Sequence, residues 1–252
     1  KLFEIVQTEW ISFKANLLGN LDTVRDINGN VDSNVVKHIG TQSNVLLAKC
    51  NDAVIDLIAF AQVSDARAAT TVVNIAARQR MLIQRMAKEV LLGALGFNLQ
   101  IDIASLKATS RLFGESHRGV ILGAPWAGVA TLTKMCTMRQ MATVSTEWTQ
   151  FRGEVDKIVG ANNLQQAKAI ATKKAQNLTV MSNTLMGAMI EAVKLYINDD
   201  GTCHSLSGIT TAQWGTLIAN VGKQRFLGEK VIQLFMQIVL GVRSQSSQVE
   251  LT

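Results

Sequence analysis

The chain has 252 residues, of which 48% are hydrophobic and 5% aromatic, with a single proline and a net charge of +6. This apolar fraction suffices for a folded core, and the near absence of proline suits long helices, because proline costs about 3 kcal/mol inside a helix. The basic residues are scattered and form no run, which argues against nucleic-acid binding. The densest apolar run, 231–242, is shorter than the roughly 20 residues that span a bilayer, so no transmembrane helix is predicted.

The N-terminal part of the chain predicts two helices separated by a loop. Residues 1–18 carry apolar side chains every three to four positions, the period of an amphipathic helix. Residues 22–40 are predicted as a loop with room for a turn or two of helix. Residues 41–95 have no proline and no glycine before Gly93, which predicts one helix of more than fifty residues, kinked only at the polar stretch 64–67. Such a helix would be about 80 Å long, a rod rather than a globule.

The rest of the chain is predicted as four further helices, over 101–113, 129–159, 164–197 and 210–242. The glycine-rich stretch 114–128, which contains Pro125, is predicted as a loop. The tail after Arg243 is predicted to be frayed. The fold class is therefore all-α.

Three segments recur along the chain in the same order. Residues 8–14 (TEWISFK) return as 146–152 (TEWTQFR), 43–46 (SNVL) as 182–185 (SNTL), and 78–82 (RQRML) as 223–227 (KQRFL). The repeating unit is about 140 residues and is predicted to be an up-down four-helix bundle.

The chain is out of phase with this unit. Residues 1–70 are predicted to be the second half of one unit, and residues 71–200 a complete bundle. Residues 201–252 would be the first helix of a further unit, followed by the frayed tail. The predicted architecture is therefore a rod of tandem up-down four-helix bundles that share a long connecting helix.

Residues 74–88 (NIAARQRMLIQRMAK) resemble the signature of the PilJ-type domain, the N-terminal sensor module of type IV pilus chemotaxis transducers. That family is similar to the sensor domain of NarX-like nitrate/nitrite histidine kinases. The pattern has glycine where Ala77 stands and serine where Ile83 stands. The second copy, 220–230 (NVGKQRFLGEK), keeps the glycine but replaces the two outer arginines with lysine.

The resemblance implies a non-enzymatic helical sensor that lies outside the cytoplasm, in the periplasm or extracellular space. It implies a small ligand, in nitrate sensors an anion, that binds between the first helices of the units. Binding would pass a piston-like shift along these helices.

The candidate ligand residues lie on the first helix of the complete unit. Arg78 and Arg85 are seven positions apart and stack beside the core stripe that contains Gln79. Two guanidiniums held side by side suit a planar oxyanion such as nitrate. Together with Asn74, these residues form the predicted ligand site. The alternative is structural: the arginines pair with carboxylates such as Glu89, four residues after Arg85, or Glu147 across the bundle.

The alternative function is assembly. Because the last predicted helix belongs to an incomplete unit, its apolar face is expected to line a groove formed by Val231, Leu234, Phe235 and Ile238. A helix of another chain would fill this groove, which gives a head-to-tail filament or ring and a homo-oligomer. Otherwise the helices close as a smaller bundle within one chain.

The remaining chemistry-bearing residues predict neither catalysis, nor a metal, nor a cofactor. His38, His117 and His204 are isolated in the sequence, and no nucleophile, base and acid are spaced as in a catalytic triad. Cys50 is predicted to be a small buried hydrophobe. Cys203 is the better candidate for a disulfide. Trp148 and its counterpart Trp10 are predicted to anchor the core.

Overall fold

The computed structural model describes residues 2–21, 23–26, 30–64, 70–197 and 211–241. Within these ranges the chain forms α-helices and no strand, which confirms the all-α prediction. The helices, with one short 3-10 turn at Pro125–Ala127, are α1 (Leu2–Gly19), α2 (Ser33–Ser64), α3 (Thr70–Leu95), α4 (Leu99–Leu122), α5 (Met135–Val159), α6 (Leu164–Ile197) and α7 (Thr211–Leu240).

The helix expected over 41–95 is instead two helices, α2 and α3, that lie beside each other. The Nζ of Lys88 on α3 is 3.3 Å from the Oγ of Ser43 on α2, although α2 ends only at Ser64 and α3 begins at Thr70. The chain therefore reverses direction between these helices, and they do not form a rod. Part of the polar stretch predicted to kink, residues 65–67, lies outside the described residues.

Two helix boundaries differ from the predicted ones for local reasons. Asp32 accepts hydrogen bonds from the backbone N–H groups of Asn34 (2.8 Å) and Val35 (3.3 Å). This N-cap starts α2 inside the predicted loop. Further along, α4 continues past Gly114 to Leu122. Glycine costs about 1 kcal/mol in a helix interior, and burial of His117 and Val120 on the core face offsets this cost.

The helices pack around two hydrophobic cores. The larger core joins α3, α4, α5 and α6, with part of α2. At its centre the ring centroids of Trp148 and Phe113 are 4.3 Å apart. Trp148 is buried, as predicted. Trp10 is half-buried and lies 6.1 Å from Phe13. The smaller core joins α1, α2 and α7, with Leu91 of α3.

Helix α7 packs against α3 and α2 of its own chain. These helices cover the apolar face that was expected to line an open groove. Leu234, Phe235 and Ile238 are buried in the smaller core, and Val231 is half-buried against it. The helices thus close within one chain, and no neighbouring chain is needed to cover these side chains. The physical reason is that α7 brings its apolar face back onto α2 and α3, where tethering favours contact over capture of a second molecule.

Candidate functional site

Helix α3 is buried on almost every side because α2, α4, α6 and α7 surround it. Consecutive residues from Gln79 to Gln84, and again from Met86 to Leu91, are buried. Its polar side chains are therefore forced into the interior. The buried polar residues of α3 are Gln79, Arg80, Gln84, Lys88 and Glu89.

Lys88 is the centre of a buried polar cluster that joins three helices. Its Nζ lies 2.7 Å from Oε2 of Glu229 on α7, and both side chains are at most 3% exposed. The same ammonium group donates to the Oγ of Ser43 at 3.3 Å and the Oδ1 of Asn44 at 3.4 Å on α2. A buried ammonium needs such partners, because an uncompensated charge in the interior costs several kcal/mol.

Glu89, the next residue, forms a second polar cluster that faces α4. Its Oε1 accepts hydrogen bonds from the Nε of Arg85 and the Oγ1 of Thr109, both at 3.0 Å. Its Oε2 has no hydrogen-bond partner among the described residues. Burial raises the pKa of Glu89 to about 7, against the opposing charges of Arg85 and Lys88. This carboxyl group therefore titrates near neutral pH.

A cavity of about 260 Å³ adjoins both clusters, between α2, α3 and α4. Its lining carries the cations Lys37, Arg85 and Lys88 and the carboxyl groups of Glu89 and Asp102. Burial raises the pKa of Asp102 to about 6. The cavity is therefore close to electrically balanced at high pH and positive at low pH, when both carboxyl groups are protonated. It offers polar contacts on several sides to a small charged molecule.

Other cavities in the described part of the chain have fewer buried charged side chains in their lining. One of about 330 Å³ lies against the loop before α5 and is lined by Val120, Leu132 and Tyr196 among others. A groove of about 580 Å³ between α4 and α5 holds exposed pairs such as Arg111 and Glu115. Exposed ion pairs are weak and solvent-screened. The cavity at Arg85 is thus the best candidate site.

Of the four predicted ligand residues, the structure places Arg85 at this cavity and the others elsewhere. Arg78 is exposed, although partial burial and the charge of Arg85 lower its pKa. Gln79 is fully buried, and neither of its amide atoms has a hydrogen-bond partner within the described ranges. Asn74 is half-buried. The ion pair of Arg85 with Glu89 is the structural alternative that the sequence also allowed.

Sequence reasoning missed Lys88, Glu229 and Asp102. It treated α3 as the first helix of a four-helix bundle with a single core stripe, which contains Gln79. The charges of Lys88 and Glu229 then look like ordinary surface residues. A signal was available in the second copy, since Glu229 and Gln233 interrupt the apolar face of α7, and a polar residue inside such a face indicates a buried partner.

The raised pKa of Glu89 predicts that stability falls as pH rises. The pKa is about 7 in the folded protein and near 4.3 in an unfolded chain. Between these values the folded state binds more protons, so raising the pH favours unfolding. Glu89→Gln keeps an oxygen acceptor for Arg85 and Thr109 and should flatten the curve of melting temperature against pH between 5 and 8.

Asp102 contributes in the same direction, so the flattening should be partial. The matched control is Glu115→Gln, because Glu115 is 61% exposed on α4 and should leave the slope of the curve unchanged. A wild-type slope in Glu89→Gln would contradict the assignment.

One protein-family model matches part of the chain. Residues 61–176 match the model of the PilJ family, described as "Type IV pili methyl-accepting chemotaxis transducer N-term". This segment is similar to a PilJ-type domain. It covers α3, α4 and α5 and the first turns of α6, somewhat less than half of the chain. Neither curated proteins nor solved structures gave a significant match.

The PilJ match agrees with the motif at residues 74–88 and with the helical bundle. The description of the family places its model in the N-terminal part of chemotaxis transducers. None of the helices in the described ranges combines the length and the apolar character needed to cross a membrane. The candidate cavity is lined by Arg85 and other residues of the matched segment. Its remaining lining comes from the part of α2 that precedes this segment.

Proposed function

We propose that this protein is an extracytoplasmic sensor module whose PilJ-type domain binds a small ligand, an anion such as nitrate or nitrite, in the cavity at Arg85. The observation that carries the proposal is the cavity itself, which opens to solvent beside Lys37 and Ile101 and is lined on α3 by the buried Lys88. Its cations Arg85 and Lys88 lie on the helix that holds the family motif. Buried charged groups beside residues with shifted pKa values are typical of functional sites. A purely structural core gains little stability from such charges.

Signal transfer would follow from the sharing of Lys88. This residue lines the cavity and at the same time pairs with Glu229 of α7. An anion in the cavity competes with Glu229 for the ammonium group and with Glu89 for Arg85. Ligand binding would thus change the contact between α3 and α7, whose axes run side by side, and favour a piston-like shift of one helix along the other.

The location outside the cytoplasm is supported by one covalent feature. Cys136, at the start of α5, is disulfide-bonded. Disulfides persist in oxidising compartments such as the periplasm and the extracellular space. Cys50 is a buried thiol, as predicted, and Cys203 lies outside the described residues.

The experiment is a thermal-shift titration with sodium nitrate and sodium nitrite, with sodium chloride at the same ionic strength as control. A bound anion stabilises the folded state by RT ln(1 + [L]/Kd), about 2.7 kcal/mol at one hundred times Kd. We expect a rise in melting temperature that is larger at pH 5.5 than at pH 8. Protonation of Glu89 and Asp102 at pH 5.5 removes the negative charge from the cavity.

Three arginine variants locate the site. Arg85→Gln should abolish the anion-dependent rise. Arg111→Gln, which changes an arginine 75% exposed on α4, should keep it. Loss of the rise in Arg78→Gln, with retention in Arg85→Gln, would move the site to the exposed face of α3. The same rise with chloride as with nitrate would refute specific anion binding.

A further inference from the structure

Helices α3 and α7 lie side by side and run in the same direction. A guanidinium nitrogen of Arg80 donates to the backbone oxygen of Ala219 at 3.1 Å. Further along both helices, eight residues after Arg80 and ten after Ala219, Lys88 pairs with Glu229 at 2.7 Å. The contacts advance together along both helices, so the two copies of the sequence motif are parallel neighbours.

The repeat relates the buried polar positions of the two helices. Residues 78–82 align with 223–227, an offset of 145 positions. At this offset Lys88 corresponds to Gln233, and Gln84 corresponds to Glu229. All four side chains are at most 3% exposed. The two helices therefore bury the same two positions, but α3 places its charge at one of them and α7 at the other.

The surroundings of these positions also correspond. Lys88 donates to Ser43 at 3.3 Å, and the Nε2 of Gln233 donates to the Oγ of Ser182 at 3.4 Å. Ser43 and Ser182 are matched residues of the repeated SNVL and SNTL segments. The environment of the two copies is thus alike, and the difference between them lies in the charges.

We propose that Lys88 and Glu229 select the pairing partner, so that α3 pairs with α7 and not with the α3 of a second copy of the chain. In a pair of two α3 helices with this geometry, each Lys88 would face Gln84. In a pair of two α7 helices, each Glu229 would face Gln233. Both arrangements bury charges without a counter-ion, which disfavours them.

The partner is the α7 of the same chain. Ile197 at the end of α6 and Thr211 at the start of α7 are separated by only 13 residues. Such a tether keeps α7 at a high effective concentration beside α3. The charges then exclude identical partners, and the tether chooses the α7 of the same chain over the α7 of another. This inference is independent of whether the cavity binds an anion.

The test uses two full-length variants with complementary defects and different affinity tags. Lys88→Glu places two carboxylates at the contact, and Glu229→Lys places two ammonium groups there. Each variant alone cannot form the pair within its own chain. When the two are co-expressed, α3 of the Lys88→Glu chain and α7 of the Glu229→Lys chain carry opposite charges at the contact. We expect a 1:1 mixed species at least tenfold more abundant than in co-expressed, differently tagged wild-type chains.

Two further variants keep the test decisive if the single variants fold poorly alone. K88E/E229K restores opposite charges within one chain, so it should recover a wild-type melting temperature and form no excess of mixed species. K88Q/E229Q leaves no buried charge and should fold without gaining a preference for the mixed species. A mixture of Lys88→Glu and Glu229→Lys chains that gives no more mixed species than wild type would overturn the proposal.

Discussion

Lys88→Met should lower the free energy of unfolding by about 3–5 kcal/mol, because it leaves Glu229 charged and buried without its counter-ion. Glu229 is 1% exposed, and its other carboxylate oxygen, Oε1, has no hydrogen-bond partner among the described residues. For a chain of this length about 1 kcal/mol shifts the melting temperature by about 2–4 °C. A loss of roughly 6–20 °C is expected in differential scanning calorimetry.

A double variant distinguishes the free-energy cost of leaving one buried charge unpaired from the contribution of the ion pair to stability. Lys88→Met with Glu229→Met replaces both charges by apolar side chains and should be close to neutral, or stabilising by about 1–4 kcal/mol. Lys194→Met is the control, because Lys194 pairs with Glu191 at 2.6 Å on an exposed surface. Its loss should cost less than about 1 kcal/mol. Equal losses in Lys88→Met and Lys194→Met would contradict the buried pair.

Phe235→Ala should destabilise the protein by about 3–5 kcal/mol, the usual cost of removing a fully buried aromatic ring. Phe235 is 0% exposed in the core formed by α1, α2 and α7. The matched control is Phe60→Ala on α2, since Phe60 is 62% exposed. That change should stay within about 0.5 kcal/mol, as for other surface substitutions.

The dependence of the melting temperature on protein concentration tests whether Phe235 is buried within one chain or between two chains. Burial within one chain gives a melting temperature that is the same at low and high micromolar concentration. Burial against a second chain would make the melting temperature rise with concentration, and the assembly groove would then be restored. Denaturant unfolding gives the free energies, provided that the slope with denaturant is equal in the variant and the wild type.

Only some residues of the candidate site could be predicted from the sequence. Of the predicted ligand residues, Arg85 lines the cavity. Its pairing with Glu89 was the structural alternative, which follows because residues four apart share a helix face. Arg78 shares that face and nevertheless remains exposed. The cavity walls come from α2 and α4 as well as α3. Walls that are distant in sequence leave no local pattern, so Asp102 was missed.

Sequence alone determined the helical class, the position of α6 and the core role of Trp148. Low proline content and three-to-four residue periodicity act locally, within a few turns of helix. The motif at residues 74–88 likewise indicated the similarity to PilJ-type domains. Each of these properties depends on neighbours that are close along the chain.

Only the tertiary structure decided that α2 and α3 lie side by side and that α7 returns to α3. A proline-free stretch is compatible with one long helix or two shorter ones, and the choice depends on how much apolar surface each arrangement buries. The return of α7 then converts Lys88 and Glu229 from surface charges into a buried pair at 2.7 Å. A side chain's burial depends on everything packed around its helix, and the chain's own periodicity reports only one face of that environment.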